Sequence, residues 1–252
     1  MYRCPALLEH ITMELSPDWE EAITDMFDNR IQEKTDLMLQ NAAQYILCLN
    51  TVEHEFFKTT FSVPASRSAC FEYLTNQRWR KFLLSVYYAD LLSYTKKEDQ
   101  VDFSRLYYIV NKFPQGFTVW WIRAGGAVFP VGYTGWYYVE ASTFNYIAQM
   151  EYNKDIIITN RFFLPAAAGT PYLYLFNYSI APLLAHTGYS RTLIKDYAFV
   201  LSNIPCKGLF CAAVSDDGVR VAEQFGMKPI GNIKNTECSK GDRIYFLRKK
   251  GP

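Results

Sequence analysis

The sequence predicts an α/β (α+β) chain in which a mixed sheet flanked by helices follows a mainly helical N-terminal region. Three observations carry this. Apolar residues recur at helical spacing through the first hundred positions, and β-prone aromatic runs parted by turn residues begin after Phe103. From Pro171 onward the pattern reads strand, turn, helix, strand, helix, strand. The boundary divides a mainly helical region over 1–100 from a sheet-bearing domain over 101–252.

Ser16-Pro17-Asp18 supplies a cap and a first-turn proline, and Trp19, Ile23, Met26, Phe27 and Ile31 continue at helical period, with an extension towards Leu49. Phe56 to Val63 reads as a strand ended by Pro64. Ser66 or Ser68 caps a second helix through Leu91, whose Arg78, Arg80 and Lys81 read as a solvated basic face. Phe103 to Phe113 is a short amphipathic helix closed by Pro114-Gln115-Gly116. Phe117 to Arg123 and Val128 to Val139 form a hairpin around Ala124-Gly125-Gly126, the second strand interrupted by Pro130 and Gly132. Ser142 to Met150 is helical and Ile156 to Phe163 a further strand. Pro171 to Ile180 has the apolar, aromatic character of a buried central strand. Thr187 or Ser190 caps a helix through Leu201, and Gly208 to Val214 is a strand. Asp217 to Phe225 is a helix ended by Gly226, and Ile244 to Leu247 closes the sheet.

The composition excludes several classes. Half of the 252 residues are hydrophobic and 17% aromatic, so the chain can bury a core and is not disordered. The rings fill that core or form a partner surface. Twenty-six basic against 25 acidic residues give a net charge of +1, which makes no field to draw nucleic acid. The tail Arg248-Lys249-Lys250 reads as a solvated end. Six scattered cysteines and three distant histidines offer no metal spacing; Cys206 and Cys211 read as positions on the two faces of one strand. No signal-length or membrane-length apolar run is present, so a soluble, cytoplasmic protein with reduced thiols is the expectation.

The segment most suited to chemistry is Tyr172 to Ile194. An apolar strand ends at Ile180-Ala181-Pro182, and Gly188-Tyr189-Ser190 opens a helix. First-turn N–H groups lack intrahelical acceptors and lie at the positive end of the helix dipole, so they hold phosphates, and a glycine lets the anion approach the backbone.

Here the sequence resembles the GNAT (general-control-type N-acetyltransferase) superfamily, as a divergent member with a helical N-terminal extension. The family's pyrophosphate loop reads Pro, Arg or Gln three on, Gly six on, Gly or Ala eight on, and Leu eleven on; Pro182, Ala185, Gly188, Ser190 and Leu193 stand at those offsets. The arginine or glutamine is therefore replaced by Ala185. Ser215-Asp216-Asp217, the segment Val219 to Gln224 and Phe225-Gly226 resemble the family's turn, short helix and entry to the last hairpin, with Ala222 where many members carry a tyrosine proton donor. Leu106 to Val139 resembles the family's upstream helix and strands, and 142–168 is an insertion.

The resemblance implies a GNAT-like mixed sheet and an N-acyltransferase, an acetyltransferase by preference. Acetyl-CoA or another acyl-CoA is the implied cofactor and an unidentified amine the acceptor. The amides of His186, Thr187, Gly188, Tyr189, Ser190 and Arg191 would hold the diphosphate, with Ile180 and Ala181 beside the pantetheine. A backbone N–H between Tyr178 and Ala181 would polarise the thioester carbonyl. Glu140 is the candidate base and Tyr178 the second candidate catalytic group, while Asp216 and Asp217 read as helix caps. The N-terminal helices are the surface expected to take a second copy, as a homodimer, or a protein partner. The alternative is a catalytically inactive GNAT-like binding or regulatory protein acting through such contacts.

Overall fold

The computed structural model describes residues 46, 49, 53–61, 77–94, 100–101, 103–124, 127–149, 155–158, 165–166, 172–235 and 242–249. The first expected helix, apart from Ile46 and Leu49, falls outside these residues. So do the Ser66 or Ser68 cap, the 125–126 turn, and Cys4, Cys48, Cys70 and Cys238.

In chain order the elements are β1 (His54–Thr60), α1 (Gln77–Ser93), α2 (Phe103–Lys112), β2 (Phe117–Ala124), β3 (Ala127–Val139), α3 (Ala141–Gln149) and β4 (Asp155–Ile158). There follow β5 (Tyr172–Ile180), α4 (Gly188–Asn203), β6 (Gly208–Ala213), α5 (Asp216–Gln224), β7 (Lys228–Asn235) and β8 (Asp242–Arg248). Short 3-10 turns at Pro114–Gly116 and Pro182–Leu184 precede β2 and α4. The chain divides into two compact units, Met1–Tyr133 with Ser179–Arg191 and Thr134–Tyr178 with Thr192–Pro252. Strands β3 and β5 and helix α4 each pass from one unit to the other.

In the first unit the strand order is β1-β2-β3 with the end of β5 beside β3. Antiparallel pairing runs from His54 opposite Ala124 to Thr60 opposite Thr118. Helix α1 covers this sheet, and its residues 81–90 are buried almost all round, as expected of a helix inside a core. Asp90 is wholly buried; its carboxylate accepts the Tyr133 hydroxyl at 2.7 Å and the Val101 N–H at 2.8 Å. Such a charge is tolerable only with donors of this kind. Lys81, expected on a solvated face, is 7% exposed. Its long apolar stem lets it pack within the covered face of α1.

In the second unit the order is β3-β5-β6-β8-β7-β4. Strand β6 pairs antiparallel with β8 over Gly208–Ala213, and β4 lies parallel to β7 at the edge. The rings fill this core: Tyr137 meets Tyr174 and Phe176, while Phe144 from α3 stacks on Tyr172 with centroids 3.7 Å apart and also meets Phe246. The Tyr197 hydroxyl of α4 donates to Gly135 O at 2.7 Å.

Three expectations change. Strand β3 is continuous through Pro130 and Gly132. Val131 O accepts the N–H of Ala181, just past the end of β5, so Pro130 stands level with that end and costs no ladder bond on this side. Cys206 lies in the loop before β6, leaving only Cys211 in the strand. Lys249 is not a free tail: its ammonium donates to the carbonyls of Leu201, Ser202 and Ile204 and so closes the C-terminal end of α4.

Gly132 is required by close approach, because a Cβ there would stand 2.5 Å from the Ser179 carbonyl oxygen. Gly132→Ala should therefore lower stability by about 2 kcal/mol, read as a lower urea midpoint. A Cβ at Gly188 would meet nothing within 4 Å, and Gly188→Ala should leave the midpoint unchanged or slightly raised.

Candidate functional site

The feature that sets this site is an incomplete ladder. Strands β5 and β6 run parallel and pair at Tyr172–Gly208, Leu173–Leu209 and Tyr174–Phe210; the pairing goes no further. Yet β5 continues to Ile180 and β6 to Ala213, the latter still paired with β8. Two parallel strands thus part after a short common base. At that base a Cβ on Gly208 would lie 2.4 Å from the Phe246 ring, so the ring packs directly against the glycine, and both Phe246 and Tyr172 meet Phe144. Backbone that leaves a ladder needs other partners for its N–H and C=O groups, from water or from a ligand with peptide-like groups.

Tyr178 stands on β5 in the parted stretch. Burial, helped by the nearby Asp217 carboxylate, pushes its phenol up to about 12. Asp217 lies in the first turn of α5, which Ser215 caps by accepting the Gly218 N–H at 3.1 Å. Asp216 and Asp217 are therefore first-turn acids, and the cap expected of them belongs to Ser215. Ala222, at the position of the family tyrosine, is 2% exposed.

Glu140 sits elsewhere. Its exposed side chain leaves β3 where α3 begins, and its carbonyl accepts the N–H groups of Thr143 and Phe144. Because Phe144 stacks on Tyr172, Glu140 belongs to the closed base of the fork. Tyr178 is six positions along β5 from Tyr172, roughly 20 Å along the strand. The structure does not bring Glu140 and Tyr178 together.

In the first unit β5 ends in the loop that leads to α4. Ala181, 1% exposed, donates its N–H to Val131 O at 2.7 Å, which takes that amide out of any oxyanion site. Ile180 is also buried. The amides of Leu184 and Ala185 turn inward to Ala181 O and Pro182 O. His186, exposed, takes φ 60, a left-handed conformation that redirects the chain into the helix. Thr187 caps α4: its hydroxyl accepts the Tyr189 N–H at 3.3 Å, and the Ser190 hydroxyl donates back to Thr187 O at 3.0 Å. Arg191 N–H closes the first turn onto Thr187 O. What faces outward is the start of a sixteen-residue helix with an exposed, side-chain-free Gly188 at its head.

Neither of the described cysteines, Cys206 and Cys211, is disposed to form a thiolate. Burial pushes the Cys211 thiol up to about 12 despite a hydrogen bond from the Tyr245 backbone, and burial also raises Cys206 although Lys249 opposes it. Among the described residues no cluster of His, Cys, Asp and Glu is placed to hold a metal ion, and no helix is long and apolar enough to cross a membrane. Sequence reasoning missed His54 and Phe56, which meet Tyr189, and Trp120, on which Phe56 stacks. His54 lies 135 residues from Tyr189, and no local pattern could have joined them.

Two linkage outcomes follow. An unfolded tyrosine titrates near its ordinary 10 while folded Tyr178 holds its proton to about 12, so stability present below pH 10 is lost as pH rises to 12. In Tyr178→Phe the decline over that window should be shallower in urea titrations at stepped pH. Cys211 should resist alkylation at pH 8 in the native protein and react only on unfolding, read by site-resolved mass spectrometry.

No protein-family model matches the chain, and no curated protein matches it. Solved structures do. The loading GNATL domain of CurA from Lyngbya majuscula superposes with a TM-score of 0.51 at 11% identity, covering 78% of this chain and 98% of that one. The NatC complex bound to Gag peptide and CoA gives 0.50 at 10% identity, covering 78% and 99%. At such identities the likeness is one of fold, and with the parted parallel strands and the loop that follows them it fixes the class: the chain has the GNAT fold.

Proposed function

We propose that the protein binds an acyl-CoA and transfers its acyl group to an amine. The observation that carries this reading is the parting of β5 from β6 after three residue pairs. A pantetheine arm carries two amides and can take up strand-like hydrogen bonds where the ladder stops. Strand β5 then runs directly into a loop whose helix begins at Gly188, where first-turn amides suit a diphosphate. A solved structure of like fold, the NatC complex, is bound to Gag peptide and CoA, which agrees with a ligand of this class.

In the transfer the amine lone pair attacks the thioester carbon, the oxygen gathers negative charge, and the C–S bond then breaks. The amine loses one proton and the thiolate takes one up. Tyr178 is assigned to the negative charge. With its phenol near 12 it keeps its proton at neutral pH and donates a hydrogen bond. It is too weak an acid to hand the proton outright to a thiolate whose own ordinary value is about 8.5. Glu140 receives no part, being at the closed base; the amine proton leaves to solvent. The acetyl group is the preferred cargo, and the acceptor is left as an amine.

Thermal unfolding in the presence of CoA, acetyl-CoA and longer acyl-CoAs tests the binding. Ligand at a hundredfold its dissociation constant stabilises by about 2.7 kcal/mol, a rise of a few degrees for a domain of this size. Gly188→Glu should abolish that rise while leaving the unliganded midpoint close to wild type, because the new carboxylate stands where the diphosphate would. No shift with any of these compounds at millimolar concentration would remove the reading.

A further inference from the structure

The head of α4 is held from β1. Tyr189 is the second residue of the helix. Its ring meets Phe56 edge-on at 4.9 Å between centroids, and Phe56 stacks on Trp120 at 4.9 Å. The Tyr189 hydroxyl is hydrogen-bonded to His54 Nε2, and the two rings lie 5.8 Å apart. His54 and Phe56 are two apart on β1 and so share a face of the sheet, with Lys58 next along it, its ammonium 5.8 Å from the Trp120 ring. All these residues belong to the first unit.

This contact bears on the loop because of what the loop lacks. At the position where related loops carry arginine or glutamine stands Ala185, whose methyl group can neither bond an anion nor tie the loop to a neighbour. Among the bonds of the segment, Thr187 to Leu184 O and Ser190 to Thr187 O join the loop to itself, and the Ala181 N–H ties its beginning to β3. Amide-to-phosphate bonds weaken steeply when the donor turns away, so a helix head free to rock binds poorly.

We infer that His54 and Tyr189 form a clasp that sets the orientation of the first-turn amides of α4 for the diphosphate. The inference rests on the acyl-CoA reading above and deepens it. Both are positioning residues: the imidazole holds the phenol, the phenol holds the Cα of Tyr189, and the amides on either side of that Cα are thereby aimed. Phe56 supplies the apolar wall that stops the ring from turning out to solvent.

The test titrates CoA calorimetrically into wild type, Tyr189→Phe, His54→Leu, the double variant and His54→Gln. Tyr189→Phe keeps the ring on Phe56 and loses only the hydrogen bond, so the fold is retained. Each of the first two variants should bind CoA about five- to tenfold more weakly. The double variant should lose no more than either single one, since both remove the same bond. His54→Gln, whose amide can still bond the phenol, should stay within about twofold of wild type. Amide exchange over 186–191 should quicken in Tyr189→Phe and stay unchanged in β6 and β8. Unaltered CoA affinity in Tyr189→Phe, losses that multiply in the double variant, or faster exchange throughout β6 and β8 would each overturn the clasp. A wild-type chain that fails to bind CoA would instead overturn the acyl-CoA reading on which the clasp rests.

Discussion

Strand β5 shares a ladder with β6 for only three residue pairs, and the candidate site follows from that. A parallel strand pair usually continues as long as both strands last, because each further residue satisfies two backbone groups. Here the pairing stops although both strands go on. The closed end is wedged by rings: Phe144 over Tyr172, and Phe246 against Gly208. On its far side β6 stays bonded to β8 to its last residue. The parted stretch of β6 is therefore backed by β8, and the gap offers the backbone donors and acceptors on which the proposed acyl-CoA reading rests.

Two buried polar groups show polarity handled by pairing. Asp90 is buried but bonded through both oxygens, and Tyr197 reaches a backbone carbonyl. Tyr178 is the exception with chemical meaning. It is half-buried, in the parted stretch, with an acid beside it, so its proton is held more firmly than in water. Burial likewise raises the Cys211 and Cys206 thiols. These shifts favour hydrogen-bond donation by Tyr178 and disfavour thiolate formation at Cys206 and Cys211.

Much of the fold was legible. Helix α2, strands β2, β5 and β6 and helices α4 and α5 fall within a few residues of their expected bounds, because turn and cap residues mark them: Pro114-Gln115-Gly116, Thr187, Ser215 and Gly226. Strand β3 was misread as interrupted because a proline and a glycine normally break a strand. Position decided otherwise, with Pro130 at the end of its neighbour and Gly132 under a carbonyl. Lys249 looked like part of a solvated tail, since no sequence rule reveals three carbonyls awaiting an ammonium. Strand β7, Lys228–Asn235, was foreshadowed only by the family rhythm; Pro229 and Gly231 hide its β character, and the register shifts between them.

The sequence by itself determined the order of helices and strands and the turn chemistry between them, and it marked the loop from Pro182 to Arg191 as a candidate for holding an anion. These are properties of neighbouring residues, written in periodicity, caps and glycines. Only the tertiary structure decided which side chains meet. It placed Glu140 at the closed base, turned the Ala181 amide into β3, and brought His54 to Tyr189. Such encounters depend on sheet order and register, which bring together residues more than a hundred positions apart and leave no trace in the local pattern at either end.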